Sequence, residues 1–307
     1  DSLTDQGITF DKYYVASPTC MPNRASLATG RMPSATGVTT NGFPLPIDTV
    51  TLMDVLGAGG YRTALMGKSH LQYFTDGKVR PETFSVKSDH TPPPEDLSQA
   101  LRRRASGPEF NNELRSAWEE DPSRGVNVPY YGFQEVKIAL FHADRVGGDY
   151  SAWLADKHSD PNSLRGPENA LKNSGISAPQ AWRTRIPEEL YPTNWITNLT
   201  IDCLERYATD DQPFFIQCGY TDPHHPFTPP GKYWDMYDPA DIPAPSSLGA
   251  KHNNPPPFIS DLHSSLADGT ANRTYVHPYA VTDQEARESI ALTYGMITMV
   301  DDGVGRI

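Results

Sequence analysis

Three short apolar runs, Tyr61–Gly67, Phe133–Leu140 and Pro213–Cys218, constrain this fold more than any other feature of the chain. Each has strand length and is bounded by turn-forming residues; Gly59-Gly60 leads into the first. Helical patterns stand between and after them: Leu52–Gly57, a helix from about Thr193 to Ala208 within a helical stretch opening at Glu188, and a long terminal helix over 283–307. Helices alternating with strands around long loops predict an α/β fold, a central mostly parallel sheet flanked by helices.

The loops are long and rich in proline. The chain holds 29 prolines in 307 residues, about 9% against a usual ~5%. From about 79 to 187 the sequence reads as an irregular insertion, with Pro92-Pro93-Pro94, many Gly and Ser, and the basic cluster Arg102-Arg103-Arg104, which reads as a solvated face. No fixed-period repeat is present. The 307 residues read as a single catalytic domain, and an incomplete one. Asp1 opens without Met, and the stripe Ile290, Thr293, Ile297, Val300, Val304, Ile307 runs to the last residue without a Gly, Asn or Pro stop signal. The chain therefore reads as truncated at both ends.

A balance of 26 Lys and Arg against 38 Asp and Glu, net −12, argues against a nucleic-acid partner. No window has the apolar length of a membrane span. Three cysteines cannot build a disulfide framework, and no CxxC pair points to zinc or redox chemistry. Cys203, on the helix, and Cys218, ending the third strand, read as small buried apolar residues. A bond between them has no support in the sequence.

Cys20 stands apart because of its company. In Ser17–Arg31, SPTCMPNRASLATGR, it lies at the mouth of a helix whose early position carries Pro22. Arg24, four residues on, shares its helical face. A helix N-terminus with a guanidinium makes a cradle for an oxyanion. A packed Cys beside a surface Arg would look the same.

Cys-x-Pro-x-Arg followed by Ala-Ser-Leu-x-Thr-Gly-Arg resembles the signature of the type I sulfatases of the alkaline phosphatase superfamily, with Asn23 where Ser or Ala is usual. Two further segments match in order. Gly60–Leu71 resembles the family's strand ending in Gly-Lys-x-His, and a period of two would point Lys68 and His70 the same way. Pro213–Phe227 resembles its strand followed by Pro-His-x-Pro: His224 takes the place of the active-site His, and His225 the variable place. In extended backbone, the two imidazoles would point apart.

The resemblance implies an alkaline phosphatase-like fold and a sulfate monoester, aryl or carbohydrate, as substrate. It implies that Cys20 is oxidised to formylglycine by a formylglycine-generating enzyme and that its hydrate is the nucleophile. Arg24, Lys68, His70 and His224 then join it as catalytic residues, and Lys68, His224 and His225 contact substrate. It also implies one divalent metal, calcium first, or manganese or zinc nearer the phosphonate hydrolases. Cys20, as formylglycine, would be one ligand, and the others are expected outside this chain. Asp301 and Asp302 read as solvated or capping residues. Two rival readings stand: a phosphonate monoester or phosphodiester hydrolase on the same scaffold, and a non-catalytic glycan- or partner-binding remnant. Export is expected from the resemblance only.

Overall fold

The computed structural model describes residues 2–76, 91, 94, 106–172, 175–250, 253–274 and 277–307. The arginine cluster 102–104 lies outside them, as do Pro92 and Pro93. Nine α-helices are placed among the described residues: α1 (Ser2–Gln6), α2 (Cys20–Thr29), α3 (Pro33–Thr36), α4 (Leu52–Ala58), α5 (Arg115–Glu120), α6 (Asp149–Lys157), α7 (Pro192–Tyr207), α8 (Pro257–Asp268) and α9 (Asp283–Arg306). Strands β1 (Arg62–Gly67), β2 (Glu135–Leu140), β3 (Gly147–Gly148) and β4 (Phe214–Gly219) form one sheet in the order β3-β2-β1-β4. β1 pairs parallel to both β2 and β4, and only β3 runs antiparallel. The expected α/β architecture is the observed one.

β1 is apolar at nearly every position because both of its faces are covered, as in parallel sheets generally. Leu65 packs with Met21 and Ala25 of α2 and with Met53 of α4. Ala64 and Met66 point the other way, onto Cys203 and Tyr207 of α7. α7 also meets α6 through Trp195, Ile196, Tyr150 and Leu154. All three cysteines are free thiols.

Where β1 and β4 end, two glycines face each other, Gly67 and Gly219. Gly67 has φ of 109°, and a Cβ there would stand 2.1 Å from the Gly219 carbonyl oxygen. No other residue allows this approach. It lets the backbone bend so that the Lys68 N–H donates to the Gly219 carbonyl at 2.7 Å.

Two sequence expectations change. α7 begins at Pro192; Glu188–Leu190 before it is a 3-10 turn. The terminal helix forms over the expected residues, started by a capping box between Thr282 and Glu285. Its buried face is another one, however. Ala286, Ala291, Leu292, Gly295, Met296, Met299 and Gly303 are buried, while Ile297, Val304 and Ile307 are exposed. Close approach decided the face rather than side-chain bulk. A Cβ at Gly295 would lie 2.2 Å from the Tyr233 carbonyl, and one at Gly303 would lie 2.6 Å from Thr197 Oγ1. Among the described residues, no helix is long and apolar enough to cross a membrane.

Candidate functional site

The carboxyl ends of β1, β2 and β4 release three short segments toward the start of α2, the place where open α/β sheets gather ligand-binding groups. Cys20 is the first residue of α2 and is half-buried. Arg24 turns from the same helix to the segment after β1, where its Nη1 donates to the carbonyls of Lys68 and Ser69 at 3.2 and 3.3 Å. It thereby ties the Cys20 helix to the Lys68 segment.

Lys68 is buried, at 2% exposure. Its Nζ sits 3.0 Å from Nδ1 of His142 and 5.6 Å from the Phe74 ring centre. Burial, with the Arg24 charge in addition, pushes the ammonium down to about 7, against a smaller opposing pull from Cys20 and Glu113. No carboxylate forms an ion pair with Lys68 among the described residues, a costly state for a buried cation.

His70 does not follow from a continued strand. β1 stops at Gly67, and His70 has a left-handed backbone with φ of 61°, so the expected period of two breaks. The turn arises because the Leu71 N–H donates to the fully buried Glu113 carboxylate at 3.0 Å, while Tyr130 also donates to it. His70 is buried and stacked on Phe74 at 3.6 Å, and its Nδ1 has no partner among the described residues. Burial, then the Lys68 charge, holds it well below the usual imidazole range.

The third segment is a turn rather than an extended run, with the His224 N–H reaching the Thr221 carbonyl at 3.4 Å. The two imidazoles consequently do not diverge: their rings lie 4.5 Å apart, tilted by 52°. His224 Nδ1 approaches the His225 carbonyl. Burial pushes His224 down to about 4, and burial also lowers His225.

His142 was not read from the sequence. It follows β2 by two residues and lies flat against His224, with ring centres 3.5 Å apart and 15° between planes. Phe141 and Ala143 on either side both have positive φ, 68° and 56°, so the chain turns sharply to present this ring. The sequence carries a signal for it: Lys68 and His224 also follow strand ends, and Phe133–Leu140 reads as a strand. Burial, then Lys68, lowers its pKa well below the usual value.

Beneath this loop lies Asp222, buried, with Oδ2 accepting from Thr193 Oγ1 at 3.0 Å and Oδ1 unpartnered among the described residues. Burial pushes it up to about 7. The folded state therefore holds a proton that the unfolded state releases. Asp222's contribution to stability is full below the ordinary carboxyl range and is lost as pH rises through about 7. Asp222→Asn keeps the size and the Thr193 partner without the charge. It is expected to raise the melting temperature by several degrees at pH 8 and to change it little at pH 4; thermal melts at the two pH values check this.

The site as a whole is cationic or neutral. Among the described residues, the buried polar atoms near it that lack partners include His70 Nδ1, Ser69 Oγ and Thr221 Oγ1, besides the carboxyl oxygens Glu113 Oε2 and Asp222 Oδ1. Such a set suits a tetrahedral oxyanion. It does not by itself suit a divalent cation: among the described residues, no three His, Cys, Asp or Glu side chains converge to hold one. Asp301 and Asp302 lie away on α9; both are exposed, and Asp302 accepts from the Tyr233 hydroxyl at 2.6 Å.

Comparison with known proteins gives a consistent result. The family described as Sulfatase matches residues 1–307. An arylsulfatase of Clostridium perfringens is 25% identical over 312 residues, covering 100% of this chain and 52% of its own length. The "multifunctional alkaline phosphatase superfamily protein PehA" of Trinickia caryophylli is 26% identical, with the same two coverages. Among solved structures, the phosphonate monoester hydrolase of Agrobacterium radiobacter shares the fold with a TM-score of 0.62 at 20% identity, over 100% of this chain and 52% of that one. The chain thus spans about half the length of these relatives.

Proposed function

The chain belongs to the sulfatase family, and from that premise we propose that its site cleaves sulfate monoesters, with Cys20 as the nucleophile once oxidised to formylglycine. The observation that carries the proposal is the cluster of buried Lys68 and His142 with half-buried His224 and Arg24, none of them paired with a carboxylate among the described residues, gathered at the helix that starts with Cys20. It lacks an anion. Burial lowers every imidazole in it and pushes Lys68 down to about 7, with only a smaller opposing pull from Cys20 and Glu113. A bound ester monoanion reverses that balance.

Formylglycine, hydrated, would supply two hydroxyls on one carbon, one to attack sulfur and one to expel sulfate. Around it, Lys68 would take a sulfate oxygen, its ammonium restored by the anion. Arg24 would keep the Lys68 and Ser69 carbonyls in place and add positive potential. His224 would bind the ester and, once its proton affinity is raised by the anion, protonate the leaving alcohol; His142 against its face would hold the ring plane. His70, neutral with a free Nδ1, would accept the proton of the second hydroxyl. His225, the third imidazole of the row, would contact the substrate rim. A divalent metal, calcium first, is carried over from family membership alone; these residues do not form its cage, and no step above depends on it. The same holds for maturation by a formylglycine-generating enzyme.

The cradle would also take a phosphonate monoester, and the phosphonate monoester hydrolase that shares the fold fits that second reading. The two separate by rate. Protein co-expressed with a formylglycine-generating enzyme is expected to hydrolyse 4-nitrophenyl sulfate at least tenfold faster than 4-nitrophenyl phenylphosphonate. The reverse order establishes the phosphonate reading, and no turnover of either ester leaves a binding remnant.

A further inference from the structure

An open cavity of about 450 Å³ lies behind the β2 end of the site, lined by residues of α5, α6, β3 and the turn Pro161–Leu164. It is separate from the catalytic cluster. Phe141 forms the partition, stacked at 5.4 Å on Phe74, which in turn stacks on His70.

Three guanidinium groups line the cavity, and they are not equivalent. Arg115 is paired with Glu119 at 2.5 Å, and Arg145 holds Glu168 with two contacts of 2.7 and 2.9 Å. Arg165 has no carboxylate partner among the described residues. Its Nη2 donates to the Val146 carbonyl at 2.8 Å, its Nη1 to Ser151 Oγ at 3.3 Å, and its face lies 5.3 Å from the Tyr150 ring centre. All of these are neutral groups, and its Nε is buried without a partner among the described residues. Burial lowers its pKa from the usual value; Tyr150 and the more distant Asp144 oppose this in part, and Arg115 adds a smaller lowering. Arg165 is half-buried, and a charge partly withdrawn from water is ordinarily paired. Arg165 has the cavity where its counter-charge would stand.

The remaining wall describes the body of that counter-charge. Trp118, Leu140, Phe141 and Ala155 make it largely apolar, and about 450 Å³ is many times the ~30 Å³ share of one water. We infer that this cavity binds a ring-bearing organic anion, its acidic group on Arg165 and its ring against the apolar part of the wall. The inference does not rest on the reaction proposed for Cys20. Two sources share the chemistry, an aryl acid and a sugar acid, and two probes distinguish them.

Calorimetric titration with benzenesulfonate and with glucuronate tests it, using the unaltered protein and three variants. One or both probes are expected to saturate the unaltered protein and Cys20→Ala with equal affinity, the tighter probe identifying the source. Arg165→Gln should weaken that binding at least tenfold, and Ala155→Trp, which fills the cavity from α6, should abolish it. Circular dichroism checks that both variants fold; if Arg165→Gln does not, Ala155→Trp decides alone. Failure of both probes to bind, binding unchanged in a folded cavity variant, or loss of binding in Cys20→Ala overturns the inference.

Discussion

Replacing Cys20 with alanine is expected to lower sulfate-ester turnover by about 10⁴-fold or more, the scale seen when a covalent nucleophile is removed. The reason is that nothing else in the cluster can take its place. Lys68, Arg24, His70, His142 and His224 are a buried amine, a guanidinium and three imidazoles, fit to bind oxygens or move protons. The fold should hardly notice. Cys20 is half-buried at the first position of α2, its side chain is the size of a methyl and a sulfur, and alanine is the best helix former. A stability change within about 1 kcal/mol is expected, so lost turnover would report chemistry and not unfolding. Steady-state rates, with the mass of the Cys20 peptide in the unaltered protein, check the claim. Turnover that survives in the alanine variant would remove Cys20 from the mechanism, and a bare thiol in an active unaltered protein would remove the aldehyde.

How much of this arrangement was legible depended on whether a residue's role was local. Cys20 with Arg24, and Lys68 after Gly67, lie in short stretches whose helix or strand character is written in adjacent residues. The strands could be read because both faces of β1 are covered, which demands apolar residues at nearly every position. What failed was decided across distance. His70 is turned by Glu113, forty-three positions away, which no pattern in Gly60–Leu71 announces. α9 hides its glycine face because Tyr233 and Thr197 lie against it; a period count favours the bulky stripe and cannot see a close approach. His142 sits in a stretch read mainly as irregular, and its role exists only once β2 lies beside β1 and His224 folds over it.

Lys68→Met is expected to move stability and activity in opposite directions, and that opposition separates a catalytic lysine from a structural one. The ammonium stands buried beside His142 with Arg24 adding repulsion, so its native proton affinity falls from the ordinary 10.5 to about 7. Between those values the unfolded chain holds a proton that the native one has released. Wild-type stability from this group therefore rises with pH across that window, and the burial penalty is full below about 7. Methionine has similar length and no charge. Exchange of a buried ion for an apolar residue of like volume is neutral or stabilising by about 1–4 kcal/mol. Loss of the His142 partner offsets part of this, by about 1–3 kcal/mol. The melting temperature should hold or rise at pH 6 and gain less at pH 9. Turnover should fall by about 10²- to 10³-fold, the scale of one lost oxyanion donor. Binding of inorganic sulfate, which in the unaltered protein should weaken as pH rises through about 7, should lose that dependence. A lysine kept only for packing would show a lower melting temperature and unchanged turnover per folded molecule, and that pair of results would remove Lys68 from the site.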